Sequence, residues 1–525
     1  MMNVTDPIQN LLTQRYYHPG ETSWTDIVNR VTTAVYQNAP AGDRELLAIH
    51  RMILDKEFLP SSPVLMNAGG AIQMLHSCFV LPIEDDMESI MQTLTDTVMI
   101  QKYGGGVGIN FSPLRRDGSP IRSTGGTASG PVSFMGMFNE AMNVVRQAGK
   151  RQGAMMGVLD VTHPDILAFC NAKLYEGNLS NFNISVGLDG RFLYDLPFIE
   201  YPGGTRNEIF DAIVAGAWRN GEPGILFLDN INKDNPYPEH ITCVNPCGEI
   251  PIPGYGACCL GSLNLNAFVL PERRFDWAKL HHHVNHAIHF MDRLIDLGYY
   301  PVPEIAAFEA KYRPLGLGVM GLADVLAKLG FPYNSVGGHR FVSNLFKTIR
   351  EMADIASGGG NATVLSVAPT GTISMLAGCS YSIEPFFALA YNKVVTAGVF
   401  PVLEPTLLSV LEDIGITLTD EEIQQVQETG SLQWCERIPE EVRQLFLTAP
   451  ELHWRDHLQM QATVQTWVDN AVSKTINLPA DATQEDIRDI IYRAHQLGLK
   501  GLTVYRDRSR QTEVIQSCAS GTCNL

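Results

Sequence analysis

Apolar positions along this chain repeat with two periods. From Trp24 to Val35, and again over residues 45–54, they recur three to four residues apart, so residues 1–60 read as mostly helical. Residues 85–102 repeat the pattern, with Met87, Ile90, Met91, Leu94 and Val98 on one side. The acidic residues that open this stretch suit a helix N-terminus. The helix is expected to stop at Gly104-Gly105-Gly106, with 107–111 following as a short strand. A Gly/Ser/Thr-rich loop spans 115–130, and a helix with proline in its first turn spans 131–147. Short apolar runs at 225–228, 263–266 and 364–367 read as buried strands, and 276–297 as a long helix. Short strands alternating with helices predict an α/β fold. From Gln511 onward the chain is small and polar and reads as a mobile tail.

Composition narrows the classes. The 525 residues are 45% apolar and 18% charged, enough to bury a core without disulfides or metals. The net charge of −18 argues against binding a DNA or RNA backbone, which needs stripes of Lys and Arg. Apolar runs fall short of the ~20 residues of a membrane span, and the N-terminus shows no secretory pattern. The expectation is a soluble, cytoplasmic protein with no nucleic-acid or membrane partner. Ten cysteines without paired C-x2-C knuckles predict neither structural zinc nor a disulfide framework. Buried thiols or redox chemistry remain.

Four segments could carry such chemistry. In Cys243-Val-Asn245-Pro246-Cys247-Gly248-Glu249, Pro and Gly bracket Cys247 and place it on a tight turn. An amide and a carboxylate two residues to either side can converge on that thiol, which suits radical or acid–base work; a buried turn cysteine is the plainer reading. Cys258-Cys259 follows, and Cys78 lies far upstream in His76-Ser77-Cys78. Cys518 and Cys523 on the tail suit a shuttling dithiol that exchanges disulfides. The loop Ala368-Pro369-Thr370-Gly371-Thr372-Ile373-Ser374 after a strand, and Pro60-Ser61-Ser62-Pro63, offer N–H and hydroxyl donors to phosphate. Two patterns are read as structural. Gly316-Leu-Gly318-Val-Met-Gly321 matches a dinucleotide fingerprint but lacks its strand and acidic partner, so it reads as close helix packing. His282, His286 and His289 share a helix face without H-E-x-x-H and read as a solvated or partly packed face.

Several blocks occur in a fixed order: LPSSPVLMNAGG, SCFVLPIEDDMESI, KYGGGVGINFSPLR, IRSTGGTASGPVSFM, GKRQGAMMGVLDVTHPDI, NPCGEI, CCLGSLNL, APTGTISML and GLKGLTVYRDRSR. Together they resemble the catalytic chain of a ribonucleotide reductase, from about Asp55 to Arg510, and most of all the adenosylcobalamin-dependent class II type. The resemblance implies a ten-stranded α/β barrel of two five-stranded halves around a central finger loop. It would occupy 61–510, between an N-terminal helical region (1–60) and a redox tail (511–525).

By the same resemblance Cys247 would carry a thiyl radical that removes the ribose 3′-hydrogen. Glu249 would be the base at the 3′-hydroxyl, and Asn245 would bind the ribose. Cys78 and Cys258 would reduce the substrate and become a disulfide, with Cys259 the competing choice for the second thiol. Cys518 and Cys523 would re-reduce that disulfide before a thioredoxin-type donor resets them. A dithiol supplies the two electrons that replacing a 2′-hydroxyl by hydrogen requires. Ser61, Ser62, Ser77 and the loop residues Pro369, Thr370, Gly371, Thr372 and Ile373 would hold the substrate's ribose and phosphates. Asp85, or Asp86 beside it, would hold the ribose of a deoxynucleotide effector, with Lys102 and Arg122 near its phosphates. Loops at 122–129 and 147–156 would connect effector and substrate sites. No N-terminal ATP cone is expected, and a homodimer is. Relatives that take their radical from a small subunit carry two adjacent tyrosines; here Val504 precedes Tyr505, which favours adenosylcobalamin. The alternatives are a large subunit served by a metal-containing small subunit, and a catalytically silent nucleotide-binding regulator.

Overall fold

The computed structural model describes residues 7–509 apart from 41, 123–124, 146–153, 176, 197–199 and 396–397. The tail with Cys518 and Cys523 and most of the loop at 147–156 lie outside the described residues.

A short strand, β1 (Phe58–Pro60), precedes five parallel strands that pair in sequence order. These are β2 (Cys78–Leu81), β3 (Gly106–Asn110), β4 (Met155–Asp160), β5 (Phe182–Leu188) and β6 (Gly224–Phe227). β7 (Ala257–Asn264) returns to pair antiparallel with β2 and with β1. A small hairpin, β8 (Val269–Leu270) and β9 (Arg274–Phe275), lies apart, and β10 (Leu315–Met320) then joins β7 in parallel. A second hairpin, β11 (Ala390–Val395) and β12 (Gly398–Leu403), is also separate. β13 (Thr475–Leu478) pairs in parallel with β14 (Gly501–Arg506), which meets β6 antiparallel. Isolated parallel bridges, Leu317 to Leu365 and Val367 to Val472, lead from β10 through residues 364–367 towards β13. Two parallel sets of five segments therefore meet at two antiparallel seams, β2·β7 and β6·β14. This is the two-half α/β arrangement the resemblance implied.

Helices fill the crossovers, as parallel strands require. Helix Met87–Lys102 is capped by Asp86 and Gly130–Val144 carries proline in its first turn. Trp24–Val35 starts on a capping box of Ser23 and Asp26. This helix and Arg44–Leu54 pack against the long helix Trp277–Leu297, so the N-terminal region shares a core with the second half of the barrel. The strand expected at 263–266 is really the end of a longer one: β7 starts at Ala257, and Leu265–Phe268 is a 3-10 turn. Gly316 and Gly318 of the fingerprint-like motif sit in a strand, β10, and Gly321 follows it as the N-cap of helix Leu322–Leu329. A Cβ on Gly318 would come 2.4 Å from the Ser366 carbonyl oxygen, so the spacing serves close strand packing. A satellite core of short helices around Leu407, Val426 and Phe446 gave no distinctive sequence signal. Among the described residues no helix is long and apolar enough to cross a membrane.

Strand alternation decides what faces the barrel interior. Cys78, Val80, Met156, Val158, Cys258 and Leu260 point inward and pack with Val244 and Ile250 of the β6–β7 connection. Their neighbours Phe79, Leu81 and Cys259 point to the outer cores. The connection enters the barrel because β3 offers no side chain against it. A Cβ on Gly108 would lie 1.8 Å from the Val244 carbonyl oxygen, and one on Gly106 2.9 Å from the Pro246 ring.

Candidate active site

The connection crosses the interior as a tight reversal. Val244 bridges Pro251 antiparallel, and Gly248 N–H donates to the Asn245 carbonyl at 3.0 Å. The Asn245 side chain braces the turn by accepting from Ile250 N–H at 2.9 Å. Gly248 holds φ of 82°, a left-handed conformation that favours glycine. From β5, the Asn183 amide donates to the Pro246 carbonyl at 2.8 Å. This leaves Cys247 exposed at the tip, while Asn245 and Glu249 are buried at its base.

Below the tip lies a set of thiols and one carboxyl. The Asn245 amide donates to Cys78 Sγ at 3.0 Å, and Cys78 Sγ lies 3.8 Å from Glu249 Oε1. Glu249 Oε2 is buried with no hydrogen-bond partner among the described residues. Burial pushes the Glu249 pKa up to about 7, against the pull of the Asn245 and Cys78 hydrogen bonds. Burial, reinforced by the Glu249 charge, also drives the Cys78 thiol well above its ordinary range. Cys78 and Cys258 are directly opposed in the antiparallel β2·β7 register. Such pairs place Cβ atoms about 4.5–5.5 Å apart, close to what a disulfide spans. Cys259 points through the other face of β7, where its sulfur lies 3.2 Å from His76 Nε2.

Cys247 opens onto a cavity of about 430 Å³, a size suited to a small ligand. Pro369 of the Thr/Gly/Ser loop lines it, as do Ser185, Tyr381, Glu384, Lys474 and Tyr505. A profile of the ribonucleotide reductase barrel domain matches residues 76–196, 204–357 and 351–505, most of the chain. The chain belongs to the ribonucleotide reductase family.

Its curated relatives agree. Vitamin B12-dependent ribonucleoside-diphosphate reductases of Mycobacterium tuberculosis (strain CDC 1551 / Oshkosh) and Thermoplasma acidophilum are 42% and 41% identical to it. Each alignment covers 89% of this chain, and 73% and 66% of the respective relative. The ribonucleoside-diphosphate reductase large subunit of vaccinia virus is 27% identical, over 86% of this chain and 70% of its own. The solved class Id ribonucleotide reductase alpha subunit of Actinobacillus ureae has the same fold. Its TM-score is 0.82 at 24% identity, covering 96% of this chain and 97% of that one.

Within this reductase the remaining candidates separate. The Ser61 hydroxyl is buried with no partner among the described residues, whereas Ser62 Oγ is 2.8 Å from the Tyr16 hydroxyl and ties down the N-terminal region. Ser77 is the immediate neighbour of Cys78. Thr370 adopts φ of 58°, and its hydroxyl accepts from Ser382 N–H at 2.8 Å, which braces the loop. Gly371, Thr372 and Ile373 form the first turn of helix Gly371–Ala377. The three effector candidates do not all come together. Asp85 pairs with Arg115 at 2.7 Å, at the root of the hairpin that carries exposed Arg122. Asp86 beside it caps the helix by accepting from Ser89 N–H at 2.8 Å. Lys102 sits at the far end of that helix, about 22 Å away at ~1.5 Å per residue, with its ammonium over the Tyr103 ring. One nucleotide cannot reach both from a single chain. Asn183, Glu384 and Lys474, which brace or line the site, went unnoticed in the sequence because none lies in a segment with an evident chemical pattern. Lys474 is fully buried and paired with Glu384 and with His457 at 3.1 Å.

Proposed function

We propose that this chain reduces ribonucleoside diphosphates to 2′-deoxyribonucleotides, with adenosylcobalamin as its radical source. The observation that carries the reading is the turn that exposes Cys247 to the cavity while Asn245, Glu249, Cys78 and Cys258 gather in the buried space at its base. The wall of that cavity suits the cofactor. Asn183, Ser185 and Thr503 line it with polar side chains that would hold an adenosyl ribose. Val504 in place of a second tyrosine next to Tyr505 supports the same choice. When bound, the cofactor supplies a one-electron oxidant through its cobalt–carbon bond.

Cys247 gives up its thiol hydrogen and then takes the ribose 3′-hydrogen. Glu249 accepts the proton of the 3′-hydroxyl, for which a pKa near neutrality is suited. With a radical at C3′, the 2′-hydroxyl leaves as water, using a proton from the dithiol. Cys78 and Cys258 supply two electrons and end as a disulfide, and the 3′-hydrogen returns from Cys247. The raised pKa of Cys78 keeps this donor protonated until it is needed. Asn245 orients the ribose and Cys78 together. Pro369–Ile373 and Ser61 are the phosphate and ribose contacts. The tail cysteines, Cys518 and Cys523, pass electrons from a thioredoxin-type donor. Deoxynucleotide effectors act through Asp85 and Arg122, and the active form is a homodimer.

Cobalamin binding with product analysis tests this. Deoxynucleotide formation should depend on adenosylcobalamin. Activity that appears with a metal-loaded small subunit and is indifferent to adenosylcobalamin overturns the cofactor assignment.

A further inference from the structure

Behind the dithiol, on the outer face of the β2·β7 seam, lies a cluster the reaction above does not use. His76 Nε2 is 2.9 Å from Glu309 Oε2, 3.2 Å from Cys259 Sγ and 3.4 Å from the Tyr300 hydroxyl. His76 and Glu309 are completely buried. Glu309 comes from helix Pro303–Tyr312, and its second oxygen accepts from Ala257 N–H at 3.3 Å. Tyr300 is itself anchored by donating to the Ile295 carbonyl at 2.8 Å.

The placement of these contacts is specific. The β2·β7 register is only two residue pairs long, Cys78 with Cys258 and Phe79 with Ala257. Backbone bonds continue on the Val80 side, through Val80 N–H to the Gly256 carbonyl and Tyr255 N–H to the Val80 carbonyl. On the other side the ladder ends at the cysteine pair. Ser77 turns to β3, where its carbonyl accepts from Gly106 N–H, and the same edge of β7 passes to β1, where Ser61 N–H donates to the Leu260 carbonyl. The two strands would part at the cysteines if backbone pairing were all that held them. The cluster bridges that gap. His76 precedes Cys78 by two residues, while Ala257 and Cys259, which the pair holds, flank Cys258. A buried ion pair contributes little net stability compared with apolar residues of equal volume. Its value here lies in fixing two backbones against each other.

We propose that the buried His76–Glu309 pair, with Cys259, clamps β2 to β7 and thereby sets the distance between Cys78 and Cys258. These are positioning residues that act through the dithiol, and the proposal rests on that pair being the reductant. Held at disulfide distance, the thiols lose little freedom on oxidation, so the clamp favours the disulfide. Burial works against the imidazolium, while the Cys259 sulfur and the Glu309 carboxyl act the other way and raise the His76 pKa to about 10.

The test is the thiol–disulfide equilibrium of Cys78 and Cys258 in the full chain, read by peptide mapping after equilibration in glutathione buffers. His76→Phe/Glu309→Leu replaces the pair with apolar bulk, and Glu309→Gln keeps the shape but removes the charge. Both should shift the equilibrium at least tenfold towards the dithiol, about 30 mV less negative. Cys259→Ser, which keeps a polar atom facing His76, should stay within about threefold of wild type. Thermal melting of each variant separates this effect from global unfolding. A folded double variant whose equilibrium is unmoved overturns the clamp. Failure of the wild-type chain to form any Cys78–Cys258 disulfide overturns instead the dithiol assignment on which it rests.

Discussion

The two faces of the β2·β7 seam are one peptide apart and chemically opposed. The inner face holds Cys78 and Cys258 with the Asn245 amide and the Glu249 carboxyl, and no basic side chain bonds these groups among the described residues. The outer face holds Cys259 with the His76 imidazole and the Glu309 carboxyl, closed over by Tyr300. Two sulfurs adjacent in sequence are thus given different chemistry by the two-residue period of a strand. The inner face keeps its thiols protonated and opposed, as hydrogen donors to a radical intermediate should be. The outer face fixes its sulfur in a buried polar cluster away from the residues that line the cavity.

Substitutions can break this contrast at graded strength. Cys247→Ser should abolish deoxynucleotide formation, with turnover at least about 10⁶-fold lower, because a hydroxyl O–H bond is too strong to replace the thiol. Nucleotide binding should persist, which equilibrium dialysis checks. Cys258→Ser should stop sustained turnover, whereas Cys259→Ser should lower it by less than about threefold. Equal losses would erase the distinction between the two faces.

Glu249→Gln should lower kcat by roughly 10²–10⁴-fold. In the wild type, kcat/KM should rise with pH through about 7, because the base must be ionised. Stability runs the other way. The folded chain binds this proton more tightly than the unfolded chain, so the contribution is full below pH 4.5 and is lost as pH rises through about 7. Above that, the buried carboxylate costs roughly 3 kcal/mol, as an order of magnitude. The Gln variant should therefore melt higher than wild type at pH 8 and little differently at pH 5.

The smallest effects belong to the effector region. Asp85→Asn should weaken effector control of substrate choice several-fold in a four-substrate competition assay, and Lys102→Ala should leave it unchanged.

The contrast between these regions also shows what the sequence could convey. Asn245, Cys247 and Glu249 are close in sequence and, because Pro246 and Gly248 reverse the chain, close in space as well. The α/β class was legible for a related reason, since strands and crossover helices are local patterns repeated in order, whereas the two-half barrel came only from the family resemblance. Asp85 and Lys102 also lie on one short segment, but that segment is a straight helix, which carries them apart. The choice between Cys258 and Cys259 stayed open because it depends on which face of β7 meets the barrel interior, a property of pairing with a strand 180 residues away. The His76–Glu309 contact spans 233 positions, and neither partner belongs to a pattern that would join them.

One measurement bears most directly on the account. Prereduced enzyme is given one round of turnover without external reductant, quenched, alkylated and mapped. The account predicts one Cys78–Cys258 disulfide for each deoxynucleotide formed, in a variant with both tail cysteines replaced by serine, and Cys259 recovered as an alkylated thiol. A disulfide between Cys78 and Cys259, or product formed with Cys78 and Cys258 both still reduced, would contradict it.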